Sequence, residues 1–269
     1  MQYLPLTLSD AARNLALDEA LLEEAESSAT PVETLRVWES PEPFVVLGRS
    51  SRVAAEVRED VCRQLGVPIL RRISGGATVL AGPGCLMYAL VLSYERRPAL
   101  RMLSEAHRTV METMVAALSP LISSPLMPSA PSSLASSRLA SSTKQTVQYR
   151  GTCDLTIGGA RGNGETVGDL KFSGNSVRCR RTHLLYHGTL LYDFSLDLVE
   201  RCLTMPPRTP DYREGRSHER FIANLPARAD AICTALRTGW KAETLRNDWP
   251  RERMEQLVLQ KYAYREWNA

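Results

Sequence analysis

The sequence predicts an α/β fold of the α+β kind, a mixed sheet with flanking helices. Segments with apolar residues at helical spacing alternate with short apolar strands, but without the regular strand–helix–strand units of a parallel sheet. A chain of 269 residues with 43% apolar content can bury one substantial core, and no internal repeat points to a solenoid.

Asp10 to Glu26 reads as a helix with apolar faces, and Val53 to Leu65 as a second, with Ser50 or Ser51 to cap it. Val67, Ile69 and Leu70 form a β-type run. His107 to Leu118 is predicted helical, with Val110, Met114 and Leu118 on one face. From about 119 to 145 the chain is rich in Ser, Pro and Ala. That composition buries little, so a flexible surface insertion is expected. Asp154-Leu155-Thr156-Ile157 alternates like a strand. Five glycines between Gly158 and Gly168 suit a hairpin connection, and Lys171 is expected to start the returning strand. Pro206-Pro207 should end a helix over Leu196 to Leu203. A charged loop at Asp211 to His218 and a last helix from about Arg251 to Lys261 complete the chain.

Composition narrows the function classes. A net charge of +3, with no basic run interleaved with aromatics, gives no reason to expect nucleic acid. Cys62, Cys85, Cys153, Cys179, Cys202 and Cys233 are scattered without a Cys-x-x-Cys pair, so neither a zinc ribbon nor a disulfide framework is indicated. His183 and His187 stand four apart in a segment that reads as strand, and no metal site is expected there. No segment approaches transmembrane length, and the N-terminus lacks a basic region followed by an apolar run. A reduced, cytoplasmic protein without a membrane partner is the expectation.

Three segments carry chemistry. Arg71-Arg72-Ile73-Ser74-Gly75-Gly76-Ala77 sets two guanidinium groups before a glycine turn. Arginine offers a planar donor fork to carboxylate or phosphate, and paired glycines let backbone N–H groups approach a ligand. A solvated surface hairpin would explain this segment equally well. Lys171-Phe172-Ser173-Gly174-Asn175-Ser176 places a cation on a Gly/Ser-lined strand, where it can act on a carbonyl or phosphate, or lie along an edge with its head in water. Tyr186-His187-Gly188-Thr189-Leu190-Leu191 follows.

Together these segments resemble the lipoate–protein ligase family, which includes octanoyltransferases and, more distantly, biotin protein ligases. Its pattern is Arg-Arg-x-Ser-Gly-Gly-Gly-Ala, then Lys-x-Ser-Gly-Ser/Asn-Ala/Ser, then His-His-Gly-Thr-Leu-Leu. Weaker echoes are Asn14 to Leu21, Leu35 to Trp38 with Val45 to Arg49, and Lys261-Tyr262 with Glu266-Trp267-Asn268. The resemblance implies a class II synthetase-like biotin/lipoate ligase fold, one catalytic domain over 1–269 and no C-terminal accessory domain. It implies that Arg71, Arg72, Ser74, Gly75, Gly76 and Ala77, with Ser173, Gly174, His187 and Gly188, hold an acyl chain and phosphate. Lys171 would polarise the reacting carbonyl, and Asp154 would orient the incoming lysine or a metal. The implied activity attaches lipoate, or a medium-chain acyl group, to a lysine of a lipoyl carrier domain through acyl-AMP made with ATP and Mg2+. The carriers are those of 2-oxoacid dehydrogenase or glycine cleavage complexes, and a separate accessory chain is a further expected partner. Arg213 and Arg216 are candidate carrier contacts.

The chain also departs from the pattern. Ala77 replaces the third glycine, and Ala81-Gly82-Pro83-Gly84-Cys85-Leu86 replaces the His-Asp-x-Gly-Asn run of the ligases, nearer the His-Gly-Pro-Gly-Gln-Leu run of octanoyltransferases. Those enzymes need a thiolate. Its two family positions fall near Pro207 and around Gln145 to Gln148, where no cysteine stands; Cys153 is the cysteine near the proposed site. Two rivals follow: an octanoyl or lipoyl transferase with a thioester donor, and a non-catalytic acyl-binding homologue. Biotin ligation is a lesser option.

Overall fold

The computed structural model describes residues 1–123, 144–160 and 166–268. Its first half comprises β1 (Gln2–Pro5), α1 (Ala11–Ser27), β2 (Thr34–Trp38), β3 (Phe44–Leu47), α2 (Val53–Glu56), α3 (Glu59–Gln64), β4 (Ile69–Arg71), β5 (Val79–Ala81), β6 (Cys85–Ser93) and α4 (Leu103–Ser123). There follow β7 (Lys144–Arg150), β8 (Asp154–Ala160), β9 (Thr166–Cys179), β10 (His183–Leu191), α5 (Asp197–Cys202), α6 (His218–Phe221), α7 (Ala229–Gly239), β11 (Thr244–Leu245), α8 (Arg251–Leu257) and α9 (Arg265–Asn268).

Eight strands form one sheet in the order β11-β1-β2-β6-β10-β9-β8-β7, and β4-β3-β5 form a second. Both are mixed: β1 runs parallel to β2 and β11, and β3 parallel to β4, while the other pairs are antiparallel. Directly opposed residues share a face, so register divides the large sheet. Trp38, Met87 and Thr189 lie on one face with Arg36, Ala89 and His187. The small sheet, α1 and α8 pack their apolar residues against that face. Leu35, Val37, Leu90 and Tyr186 point the other way and meet α4 and α7. The expected face of α4 is where predicted, with Val110, Met114 and Leu118 all fully buried.

Several boundaries differ from expectation. The helix expected over Val53 to Leu65 is two short ones, interrupted at Val57, which bridges to Leu203. Arg52 rather than Ser50 or Ser51 is the residue before α2, with no side-chain cap; the Ser51 hydroxyl donates to Gly76 O instead. Tertiary pairing outweighs the local helical pattern here. Lys171 lies inside β9 rather than at its start, and Gly158 and Gly159 belong to β8. In the Ser/Pro-rich stretch, Ser119–Ser123 continue α4 through Pro120, while 124–143 lie outside the described residues. The last helix gives way after Leu257 to a π-helical turn, Val258–Tyr262.

Candidate active site

Arg71 and Arg72 are adjacent at the end of β4, so their side chains leave the chain on opposite sides. Arg71 turns away from the space between the sheets. Its guanidinium donates to the carbonyls of Gly48, Arg49, Ser51 and Trp267, at 2.7, 3.2, 2.8 and 2.7 Å. Asn268 Oδ1 accepts from Arg71 N, and Trp267 Nε1 donates to Arg71 O. This arginine, expected at the ligand, ties α9 to the base of the glycine loop. Arg72 faces inward. Its Nε donates to Ser74 Oγ at 3.1 Å, and its two terminal nitrogens to the carbonyls of Val46, Gly75 and Ala77. Burial pulls its pKa down to about 10, which leaves it cationic at neutral pH.

The loop closes tightly around that guanidinium. Gly76 has φ +88°, and a Cβ there would stand 3.0 Å from an Arg72 terminal nitrogen. Ser176 Oγ on β9 donates to Gly75 O at 2.8 Å, fastening the loop to the large sheet. Ser74 is buried and bonds His187 Nε2 on β10. Ser74 Oγ thereby links the Arg72 guanidinium to the His187 ring. The other ring nitrogen, Nδ1, lies 3.8 Å from buried Asp18 Oδ2.

A cavity of about 430 Å³ opens between the two sheets. Its apolar wall comprises Leu15, Val46, Leu80, Met87, Leu191, Val199 and Leu203. Arg72, Gly76 and Ala77 border it on the loop side, and Lys171, Ser173, Gly174, His187 and Gly188 on the sheet side. Arg71, Ser74 and Gly75 do not line it. The glycine loop and Lys171 thus converge on one cavity.

At its polar end Lys171 Nζ pairs with Asp154 Oδ1 at 2.7 Å. Asp154 is the only carboxylate that lines the cavity among the described residues. Tyr212 donates its phenolic proton to the other oxygen, Oδ2, at 2.8 Å. Tyr212 was not among the candidate residues: the Tyr-Arg-x-x-Arg-x-His run that begins with it drew attention to Arg213 and Arg216, and its partner Asp154 lies 58 residues away. Asn175 supports this end. It accepts from Tyr88 Oη at 2.6 Å and donates to Cys153 O at 2.7 Å. Gly188 makes room for it, because a Cβ there would fall 1.9 Å from Asn175 Oδ1.

Arg213 and Arg216, the candidate carrier contacts, are engaged within their own loop and against β9. Arg213 is buried and donates to Arg216 O; Arg216 donates to the carbonyls of Arg213, Asp169 and Tyr212.

Cys153 lines the cavity, and its thiol donates to Asn175 O at 2.9 Å. Burial and the Asp154 charge push its pKa up to about 11, against the opposing pull of Lys171, Asn175 and Arg72. A raised pKa delays the thiolate to alkaline pH. Alkylation of Cys153 by iodoacetamide should therefore be slow at pH 8 and accelerate as pH rises toward about 11, followed by peptide mass spectrometry. Rapid labelling at pH 7 would contradict the buried, hydrogen-bonded thiol.

The residues tolerate an anionic ligand group. Thr78 lines the cavity, and its buried Oγ1 has no hydrogen-bond partner among the described residues. No group of three or more His, Cys, Asp or Glu among the described residues is arranged to hold a metal ion. A magnesium ion held mainly by phosphate oxygens needs only one or two protein carboxylates, and Asp154 would supply one by sharing an oxygen already bonded to Lys171 or Tyr212.

Residues 10–232 match the model of the lipoyl protein ligase A/B catalytic domain. The chain belongs to this family. The octanoyltransferase LipM of Carboxydothermus hydrogenoformans is 25% identical over 95% of the chain and 93% of its own length. A provisionally named lipoate-protein ligase A of Aeropyrum pernix is 46% identical over 66 residues, 24% of each protein. That match spans about a quarter of the Aeropyrum protein. Among solved structures, the bipartite lipoate protein ligase of Thermoplasma acidophilum superposes with a TM-score of 0.74 at 21% identity, covering 99% of this chain and 95% of the other. The fold is therefore that of the lipoate–protein ligases, and the chain is an acyl-transferring enzyme of the lipoate ligase/octanoyltransferase group. Among the described residues no helix is long and apolar enough to cross a membrane.

Proposed function

We propose that this protein attaches lipoate, or a medium-chain acyl group, to a lysine of a lipoyl carrier domain by way of acyl-AMP. The observation that carries this reading is the cavity itself. Its apolar wall suits a short acyl chain, and it ends at the Lys171–Asp154 pair beside the Arg72 loop. Relatives by fold include a lipoate-protein ligase A bound with ATP and a Thermoplasma protein with bound lipoic acid.

In the first step the acyl carboxylate attacks the α-phosphorus of ATP and pyrophosphate leaves. In the second the carrier amine attacks the acyl carbon, a proton is lost and AMP departs. Both place negative charge near the cavity's polar end. Lys171 supplies a fixed cation there, worth several kcal/mol when water is excluded (~3 kcal/mol for one comparable donor). The Gly76 loop and Thr78 border the position for the phosphate. Magnesium, when bound with ATP, would neutralise phosphate charge from the Asp154 side.

The test is carrier acylation followed by mass spectrometry, with lipoate plus ATP set against octanoyl-carrier donor. Lipoate-dependent pyrophosphate release with carrier mass gain is the expected result. Activity from the thioester donor alone, without ATP, would replace this reading with the transferase one. The full-length similarity to an octanoyltransferase favours that second reading. Against it stands the chemistry of Cys153, a protonated donor rather than a ready thiolate. A hydroxylamine-labile acyl group on Cys153, lost in Cys153→Ala, would restore it.

A further inference from the structure

We infer that Tyr212 is a positioning residue for acyl transfer: its phenol holds Asp154 so that the free carboxylate oxygen fixes the Lys171 ammonium at the polar end of the cavity. The kinetic part of this inference rests on the function proposed above; the geometric part does not.

Asp154 divides its two oxygens between Lys171 Nζ at 2.7 Å and Tyr212 Oη at 2.8 Å. An ionised carboxylate only accepts, so the phenol is the donor. The last torsion of an aspartate is broad, and a carboxylate held through one oxygen swings about it. Two fixed partners on opposite oxygens stop that rotation. Tyr212 can serve as the fixed end because its own position is over-determined. Its ring packs on Phe221 at 5.3 Å, its carbonyl accepts from Arg216 at 2.6 Å, and Arg216 also donates to Asp169 O on β9. The Arg216 guanidinium itself lies over Phe221. The loop bearing Tyr212 is thus bolted to the same strand as Lys171. Burial and the Asp154 charge both raise the phenol's pKa, which keeps the donor proton in place across the working range. Lys171 gains a defined direction from this arrangement although its side chain is a quarter exposed.

Tyr212→Phe removes the hydroxyl and keeps the ring stack, so it isolates the bond. The expected result is a fall of about tenfold in kcat for carrier acylation, with KM and directly measured affinity for lipoate unchanged. A second readout needs no turnover: the 15N signal of the Lys171 ammonium, assigned by its loss in Lys171→Ala, should be sharp in the wild type and broadened in Tyr212→Phe. Asp154→Asn should broaden it likewise. An unchanged Lys171 signal in both variants overturns the inference, as does a kcat loss matched by an equal loss of lipoate affinity. If the wild type transfers no acyl group from either donor, the proposed function fails while the ammonium signal still decides the role of Tyr212.

Discussion

Lys171→Ala should lower kcat for carrier acylation by roughly 10²–10³-fold while lipoate affinity stays within a few-fold, because the ammonium acts on charge that develops only during the reaction. The two arginines of the motif are not placed to take over. Arg72 has its donors directed at Ser74 and the carbonyls of Val46, Gly75 and Ala77. Arg71 is turned to the carbonyls of Gly48, Arg49 and Ser51 after β3 and of Trp267 in α9. Lys171→Arg should rescue little. A Cβ on Gly174 would stand 3.1 Å from Lys171 Nζ, so the ammonium already lies close over the strand, and a planar fork needs more width. Steady-state acylation combined with calorimetric lipoate binding separates the two effects. Equal kcat in Lys171→Ala and wild type would sink the assignment; a loss confined to KM would make Lys171 a binding group.

The parts legible in the sequence are those whose chemistry is local. A glycine loop after two arginines, and a lysine followed by Ser-Gly-Asn-Ser, each state a backbone requirement that neighbours in sequence can express. The structure puts both on one cavity. What sequence could not separate is Arg71 from Arg72. Identical side chains one residue apart on a strand face opposite directions, and which one meets the cavity depends on where α9, 196 residues away, docks. The role of Tyr212 was hidden for a similar reason, since its partner Asp154 comes from a strand 58 residues away and no periodicity links them. The break between α2 and α3 likewise follows from pairing with Leu203, far along the chain.

Arg36 is the other position where a small change should have a large effect, here on stability. It lies on the cavity face of β2 with no exposed surface, although nothing in Leu35-Arg36-Val37-Trp38 marks it as buried. Its guanidinium donates to Asp18 Oδ1, to Asn14 O and Oδ1, and twice to Leu6 O. These bonds join the start of α1 to the large sheet and neutralise Asp18, which backs His187. Arg36→Ala leaves a buried carboxylate without its cation and a void beside Trp38. Breaking such a pair costs about 3–5 kcal/mol, which lowers Tm by roughly 10 °C in a domain of this size. The double variant Arg36→Met/Asp18→Asn should recover part of that loss, because an unpaired charge no longer remains. Denaturant unfolding of the three proteins decides the matter. If Arg36→Ala loses less than about 1 kcal/mol, the pair is solvated in solution and cannot be what holds α1 behind the cavity.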